Sequence, residues 1–373
     1  MNIGITCYPT YGGSGIVATE LGIELAARGH QVHFISYANP IRLHTDNLRI
    51  HYHEVEVSTY PLFQYPPYSL ALASRMAEVA EAANLDLLHV HYAIPHAISA
   101  LLAKQMLARR RRLPFITTLH GTDITLVGTD RSYLPIVKFS IEESDGVTAI
   151  SRYLEERTLS VFGVSSPIRV IHNFVNCDQY RRNPDPSART PFAAPEEKLM
   201  VHLSNFRPVK RVLDVVRVFE KVGREIPSKL LMIGDGPDRG PAEQLARELK
   251  VEDDVRFLGK QNRIPELLAV ADLMLLPSEH EAFGLAALEA MACGVPTVAA
   301  RTGGISELIT DGVDGLLAPM GDTDTMAGQA LSLLTDSKRY REFSSASRLT
   351  AETRFSTTRI IPQYERYYRD ILS

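Results

Sequence analysis

Two glutamates eight residues apart, Glu281 and Glu289, are the residues of this chain best suited to hold a polyhydroxylated ligand. They lie in LMLLPSEHEAFGLAALEAMACG, residues 273–294, where an apolar run stops at Pro277 and a loop carries Glu281. A helix is expected from near Gly284. Carboxylates accept hydrogen bonds from paired hydroxyls such as those of a sugar or a ribose. Eight residues is close to two helical turns, about 7.2 residues, so both acids are expected to address one bound molecule. An anionic diphosphate would rest between them on the free N–H groups of the helix N-terminus. Two solvated helix acids are the plainer alternative.

Cations stand ready in the same half. In SNFRPVKR, residues 204–211, Arg207, Lys210 and Arg211 follow an apolar run and open a helix. Open α/β sheets bind ligands at that position, and three cations there suit a diphosphate clamp; solvated surface charge is the competing reading. Gly234-Asp235-Gly236 and Gly303-Gly304 follow later strands, and by themselves they say only turn.

The first apolar run leads into Tyr11-Gly12-Gly13-Ser14-Gly15, which allows close approach of backbone to an anion. Gly13, Gly15 and Ala18 also satisfy the G-x-G-x-x-A form of a dinucleotide fingerprint. That reading needs an acid after the second strand, and Tyr37-Ala38-Asn39 stands there instead; a tight turn of small residues is the other explanation. His120, in TLHGTD at residues 118–123, is placed to hydrogen-bond a substrate hydroxyl or to stabilise developing charge. His89, His91 and His96 suggest a metal, since alternate strand residues share a face. No cysteine or carboxylate completes that set locally, so packed or cleft-rim histidines are expected and no metal. The run Arg109–Arg112 falls at a helix end, where a solvated cap is expected rather than a membrane or nucleic-acid patch.

Something must hold these loops. Apolar runs at residues 3–7, 32–36, 85–91, 115–119 and 146–150 alternate with amphipathic segments such as 16–28 and 97–110. A second series, 199–204, 229–234, 255–258, 273–277 and 297–300, alternates with 212–222, 241–249 and 284–291. Such alternation predicts α/β architecture with parallel sheets, begun twice. With 373 residues, two doubly wound domains facing across a cleft are expected. The proline-rich stretch 183–195 reads as the connector, giving domains at 1–180 and 181–355. The tail 357–373 reads as a helix with Ile360, Ile361, Tyr364, Tyr367 and Tyr368 on one stripe, packing back on the first domain.

Composition narrows the function. A net charge of −4 supplies no general field for nucleic acid. Three scattered cysteines, Cys7, Cys177 and Cys293, suggest neither a disulfide framework nor zinc and suit the cytoplasm. The start lacks a basic n-region, and no apolar run is long enough to insert stably in a membrane.

Together these segments resemble the family 4 retaining glycosyltransferases of GT-B fold, two Rossmann-like domains, across essentially the whole chain. Their E-x7-E signature matches Glu281 through Glu289. The resemblance implies an N-terminal acceptor-binding domain and a C-terminal domain for the nucleotide sugar. It implies that Glu281 contacts the sugar, Glu289 the ribose, and the backbone of Phe283, Gly284 and Leu285 the distal phosphate. It places His120 at the transferred sugar and Gly13 and Ser14 near the diphosphate and acceptor. The family's clamp, Gly-Arg-x-x-x-x-Lys, aligns on Lys210 with Ser204 and Asn205 where Gly and Arg are usual, leaving Arg207 to supply the guanidinium. The family's Asn-Gly pair appears as Asn173-Phe174.

Longer strings, GITCYPTYGGSG, HVHYAIPHA, TTLHGTDIT and LSNFRPVKRV, are similar to one branch of that family. That branch joins N-acetylglucosamine from its UDP donor to L-malate at the start of bacillithiol biosynthesis. The likeness implies an acceptor site drawn from Ser14, Tyr92 and Thr118, and catalysis by His120, Glu281, Arg207 and Lys210 without a cofactor. Other nucleotide sugars or small acceptors, a nicotinamide oxidoreductase, a hydrolase or epimerase, and a non-catalytic sugar-nucleotide binder remain the alternatives. A homodimer is carried as a candidate assembly, since residue types do not set the oligomeric state.

Overall fold

Strands covered on both faces read as continuous apolar runs rather than as alternation. Leu273–Leu276, buried at every position, is of this kind; Leu87–His91 is buried throughout as well but sets His89 and His91 among its apolar residues. The computed structural model describes residues 1–43, 47–58, 61–62, 64–125, 127–182 and 185–373. It forms two units: Met1–Asn173 with Ile360–Ser373, and Phe174–Arg359. The division thus falls inside the Asn173-Phe174 pair. Of the expected connector, Asn183 and Pro184 lie outside the described residues. Farther along it, Arg189 pairs with Asp272 at 2.6 Å and donates to the carbonyl of Val270, so this part is fastened to unit 2.

Unit 1 carries β1 (Asn2–Thr6), β2 (Gln31–Ser36), β3 (Ile50–Glu54), β4 (Leu87–His91), β5 (Phe115–Leu119), β6 (Gly146–Ala149) and β7 (Ile168–Val170). They form a parallel sheet in the order β3-β2-β1-β4-β5-β6-β7. Unit 2 carries β8 (Lys198–Leu203), β9 (Ser228–Ile233), β10 (Val255–Gly259), β11 (Leu273–Leu276), β12 (Thr297–Ala300) and β13 (Gly315–Ala318). Its order is β10-β9-β8-β11-β12-β13, again parallel. Strand order reverses direction at β1/β4 in one unit and at β8/β11 in the other. Loops leaving the carboxyl ends of such a pair diverge, which opens a crevice for ligand.

Helices seal both sheets. Val212–Gly223 buries Val212, Val215, Val216, Val218, Phe219 and Val222 against β8, β9 and β11. Valine is a poor helix former, costing about 0.5 kcal/mol against alanine. Burying its side chain returns about 1.5–2 kcal/mol, so packing overrides propensity. The helix Thr357–Leu372 carries the expected stripe, with Ile360, Ile361, Tyr364, Tyr367 and Tyr368 all buried. From it Tyr367 bonds the N–H of Val147 at 2.9 Å in unit 1.

The arginine run lies just past the helix Ile98–Leu107 with Arg109, Arg110 and Arg112 exposed, as a solvated cap requires, and three of its guanidinium groups also find partners. Arg110 pairs with Glu81 at 2.5 Å, Arg111 donates to the carbonyls of Ala80 and Leu85, and Arg112 donates to that of Ile371. Guanidinium groups are forked donors, and here they satisfy carbonyls at the ends of Tyr68–Ala82 and Thr357–Leu372. The sequence reading also passed over β3, β7, β13 and the polar helix Ser337–Arg354.

Candidate functional site

In unit 2 the switch point is built from the loops after β8, β11 and β12. Glu279 N–H donates to the carbonyl of Val209 at 2.8 Å, and Gly304 N–H to that of Glu281 at 2.8 Å. Thr302 Oγ1 donates to Ser278 O at 3.0 Å. Gly234, at φ +125°, lets the loop after β9 press on the carbonyl of Ser204, where a Cβ would collide. Ser204 is held in turn by His202 Nε2 at 2.8 Å, while His202 Nδ1 donates to Leu275 O at 2.9 Å. Burial pushes His202 down to about 4, so it stays neutral.

On this frame Lys210 Nζ lies 2.8 Å from Glu281 Oε2, both side chains largely shielded. A cation and a carboxylate, separated by 71 residues in sequence, meet at the crevice. Each keeps capacity beyond that contact, two further N–H donors on the lysine and a second oxygen on the glutamate. The helix Leu285–Ala292 opens at Gly284, φ +101°, with no side-chain cap and no acid in its first turn. Its first-turn N–H groups therefore present partial positive charge that no acid of that turn opposes.

The helical-spacing argument for the two glutamates is corrected. Glu281 sits in the loop and only Glu289 on the helix, so two turns of one helix do not align them. Glu289 is buried, 4% exposed, and its Oε1 accepts from Tyr180 Oη at 2.7 Å. The three-cation clamp is corrected as well. Arg211, at φ +51°, turns its guanidinium to Asp214 at 2.6 Å, whereas Arg207 is exposed and makes no ion pair among the described residues. Asn205 is half-buried beside this loop, and its Oδ1 has no partner among the described residues. Phe283 packs edge-on against Phe355, ring centroids 5.3 Å apart, and Leu285 begins the helix.

In unit 1 the helix Gly13–Ala27 starts at Gly13, with Gly13 exposed, Ser14 half-buried and no side-chain cap. Gly15 is explained by packing, since a Cβ there would meet the carbonyl oxygen of Tyr8. Tyr8 sits 5.3 Å from Tyr92 across the β1/β4 switch. Tyr92 has φ +89°, a strained value for a side-chain-bearing residue of the kind found at ligand sites. Its hydroxyl is 3.0 Å from Thr122 Oγ1, and its ring stacks on His120 at 5.6 Å.

His120 is nearly buried, and burial pushes it down to about 3, so it is a neutral ring. Its Nε2 lies 2.8 Å from His91 Nδ1. Thr118 does not reach the surface: its Oγ1 is enclosed between His89 Nε2 and Thr148 Oγ1, both at 2.6 Å. The acceptor role expected of its hydroxyl is replaced by one in the core. His89 continues that chain to Tyr368 Oη at 2.7 Å, and His96 Nδ1 lies 2.5 Å from the carbonyl of His91. The three histidines are packed, and no cluster of three His, Cys, Asp or Glu among the described residues is arranged for a metal.

Asp123, Tyr8, Tyr180 and His202 escaped the sequence reading. Asp123 accepts from the N–H groups of Ala93, His120 and Gly121 at 2.9–3.2 Å, tying the loops after β4 and β5 together. Its place three residues past His120 in a strand-end loop was the available signal, since short acids satisfy loop N–H groups. Tyr180 gave none.

Comparison with known proteins completes the picture. Residues 11–179 match the family described as Glycosyltransferase Family 4, and residues 186–350 the one described as Glycosyl transferases group 1. N-acetyl-alpha-D-glucosaminyl L-malate synthase of Bacillus anthracis is 50% identical over 373 residues, all of this chain and 97% of that protein. Among solved structures, HepE of Anabaena in complex with UDP and glucose superposes with a TM-score of 0.83 at 21% identity, covering 99% of each chain. Sucrose-phosphate synthase from Thermosynechococcus elongatus gives 0.79 at 22% identity, covering 100% of this chain and 99% of its own. At that identity the likeness speaks for the fold, two parallel-sheet Rossmann-like domains.

Proposed function

Because the chain belongs to glycosyltransferase family 4, we propose that it transfers N-acetylglucosamine from UDP-N-acetylglucosamine to the hydroxyl of L-malate, opening bacillithiol biosynthesis. The observation that carries this reading is the 50% identity, over the entire chain, to the Bacillus anthracis malate synthase. Unit 2 binds the donor. Glu281 accepts from sugar hydroxyls with the oxygen that Lys210 leaves open, and Glu289, steadied by Tyr180, takes the ribose. The N–H groups at Phe283, Gly284 and Leu285 face the distal phosphate, with Lys210, Arg207 and Asn205 around the diphosphate.

Unit 1 binds the acceptor through the hydroxyls of Ser14 and Tyr92, with Gly13 next to the phosphates and His120 on the sugar. The malate hydroxyl attacks the anomeric carbon on the face from which UDP leaves. The new C–O bond forms as the bond to phosphate breaks, and the proton passes to the departing phosphate oxygen, so configuration is retained and no side-chain base is used. Charge gathering on UDP is met by Lys210, Arg207 and the helix dipole, fixed donors that need no reorganisation. Turnover is accordingly expected to survive a chelator in metal-stripped buffer. Three free cysteines suit a reducing cytoplasm.

The test is an NMR time course with UDP-N-acetylglucosamine, with and without L-malate, following UDP and the product's anomeric coupling. Malate-dependent release with an alpha-linked product is expected. Release indifferent to malate would remove the acceptor assignment.

A further inference from the structure

The contact between His91 Nδ1 and His120 Nε2 decides which nitrogen of His120 carries its proton. Burial holds both rings neutral, His120 at about 3 and His91 well below its ordinary value, so each has one N–H. If His120 were the donor, the His91 proton would have to sit on Nε2. That atom is buried with no partner among the described residues. A buried N–H left unmade is the costlier orphan, and such donors are rarer than under-used acceptors.

The neighbouring ring shows the cheaper solution. His96 Nδ1 faces the carbonyl of His91, which can only accept, so the His96 proton is on Nδ1. What His96 leaves buried and unpartnered is a bare Nε2, and His91 has the same unpartnered atom. The His91 ring is kept in place by His89, 4.5 Å away, itself fixed by Tyr368 and Thr118.

We infer that His91 is a positioning residue that donates Nδ1–H to His120 Nε2 and thereby fixes His120 as the tautomer with its proton on Nδ1. His120 then offers its ligand a neutral N–H, suited to a sugar oxygen or to an oxygen gathering negative charge. Its one basic nitrogen is spent on His91, which bars it from taking the acceptor's proton. The ligand atom involved rests on the reading above, in which His120 meets the transferred sugar; the tautomer does not.

The experiment uses the full chain labelled with 15N at histidine, read by long-range 1H–15N correlation at neutral pH, with His120 identified by the signals lost in His120→Gln. The wild-type spectrum is expected to show His120 protonated at Nδ1 and bare at Nε2. In His91→Leu the proton redistributes, and kcat for malate-dependent UDP release falls about tenfold as the competent fraction falls, with the donor KM little changed. His91→Asn, whose amide N–H replaces the imidazole donor, restores both.

A wild-type His120 protonated at Nε2 overturns the inference, and that measurement stands even if His91→Leu fails to fold. A His91→Leu enzyme with wild-type kcat, whatever its spectrum, overturns the positioning role. Should the tautomer be as inferred while His120→Ala turns over normally, the reading of His120 as a ligand contact falls and the tautomer assignment stands.

Discussion

The two switch points use opposite electrostatics on the same backbone plan. At β1/β4 the histidines are neutral and buried, with the Asp123 carboxylate held on three backbone N–H groups: His89, His91, His96 and His120 all sit far below their ordinary protonation range because burial disfavours the charged form. At β8/β11 the pair is charged and still partly open to solvent, Lys210 against Glu281. Neutral groups can be buried for rigidity at little cost once hydrogen-bonded, whereas charges that must meet a diphosphate have to stay within reach of it. The parallel sheet decides where chemistry happens. Burial of the flanking loops decides what kind.

Acid should separate the two regions most. A histidine whose folded value is depressed contributes stability that is present above its unfolded value, about 6.5, and is lost as pH falls toward the folded value. Each such ring steepens the loss by up to about 1.4 kcal/mol per pH unit. Four act on β4 and on the segments that follow β4 and β5, and His202 acts on β8. Hydrogen exchange from pH 7 to 5, corrected for intrinsic rates, is expected to unprotect β4 and β5 amides ahead of those of β8 and β11. Equal loss would erase the contrast.

Breaking the charged side comes next. Lys210→Ala should cost about 10²–10³-fold in kcat/KM for the UDP-sugar, the scale for losing one fixed donor to developing charge. A loss below tenfold would show that Arg207 carries the clamp.

Gly234→Ala tests the frame under that clamp. With φ +125° and a carbonyl in the way, it should lower stability by about 3 kcal/mol, read as a fall in the thermal midpoint. Gly29→Ala, with positive φ but open space, is the milder control. The smallest effect is expected from Tyr180→Phe. Removing one hydrogen bond to Glu289 should raise the donor KM about fivefold, near 1 kcal/mol, with kcat unchanged.

Much of the frame was legible because burial on both faces writes itself as an unbroken apolar run, as in Leu-Met-Leu-Leu at residues 273–276, and because glycine and proline mark where such runs stop. Helices whose buried stripe is thin left no such trace: Ser337–Arg354 buries only Phe343, Ser347 and Ala351. In the site, Lys210 and Glu281 were recognisable as residue types, but their meeting depends on β8 and β11 lying side by side, a long-range pairing that local spacing cannot express. Thr118 misled for a related reason. Alternation along a strand tells which residues share a face, not which end of that face is closed by another element, here the ring of His89.

The chain passes between the units twice, at Asn173/Phe174 and again at Arg359/Ile360, so in sequence unit 2 is an insertion within unit 1 rather than an appendage after it. During synthesis the core of unit 2 is therefore complete before unit 1 has received Tyr364, Tyr367 and Tyr368. A ribosome that stops at Arg359 leaves unit 2 whole and unit 1 without the tyrosine stripe of 360–373, with His89 lacking its tyrosine. Quality control would meet that product as a half-finished fold, already holding the residues assigned to the donor and lacking the support for those assigned to the acceptor.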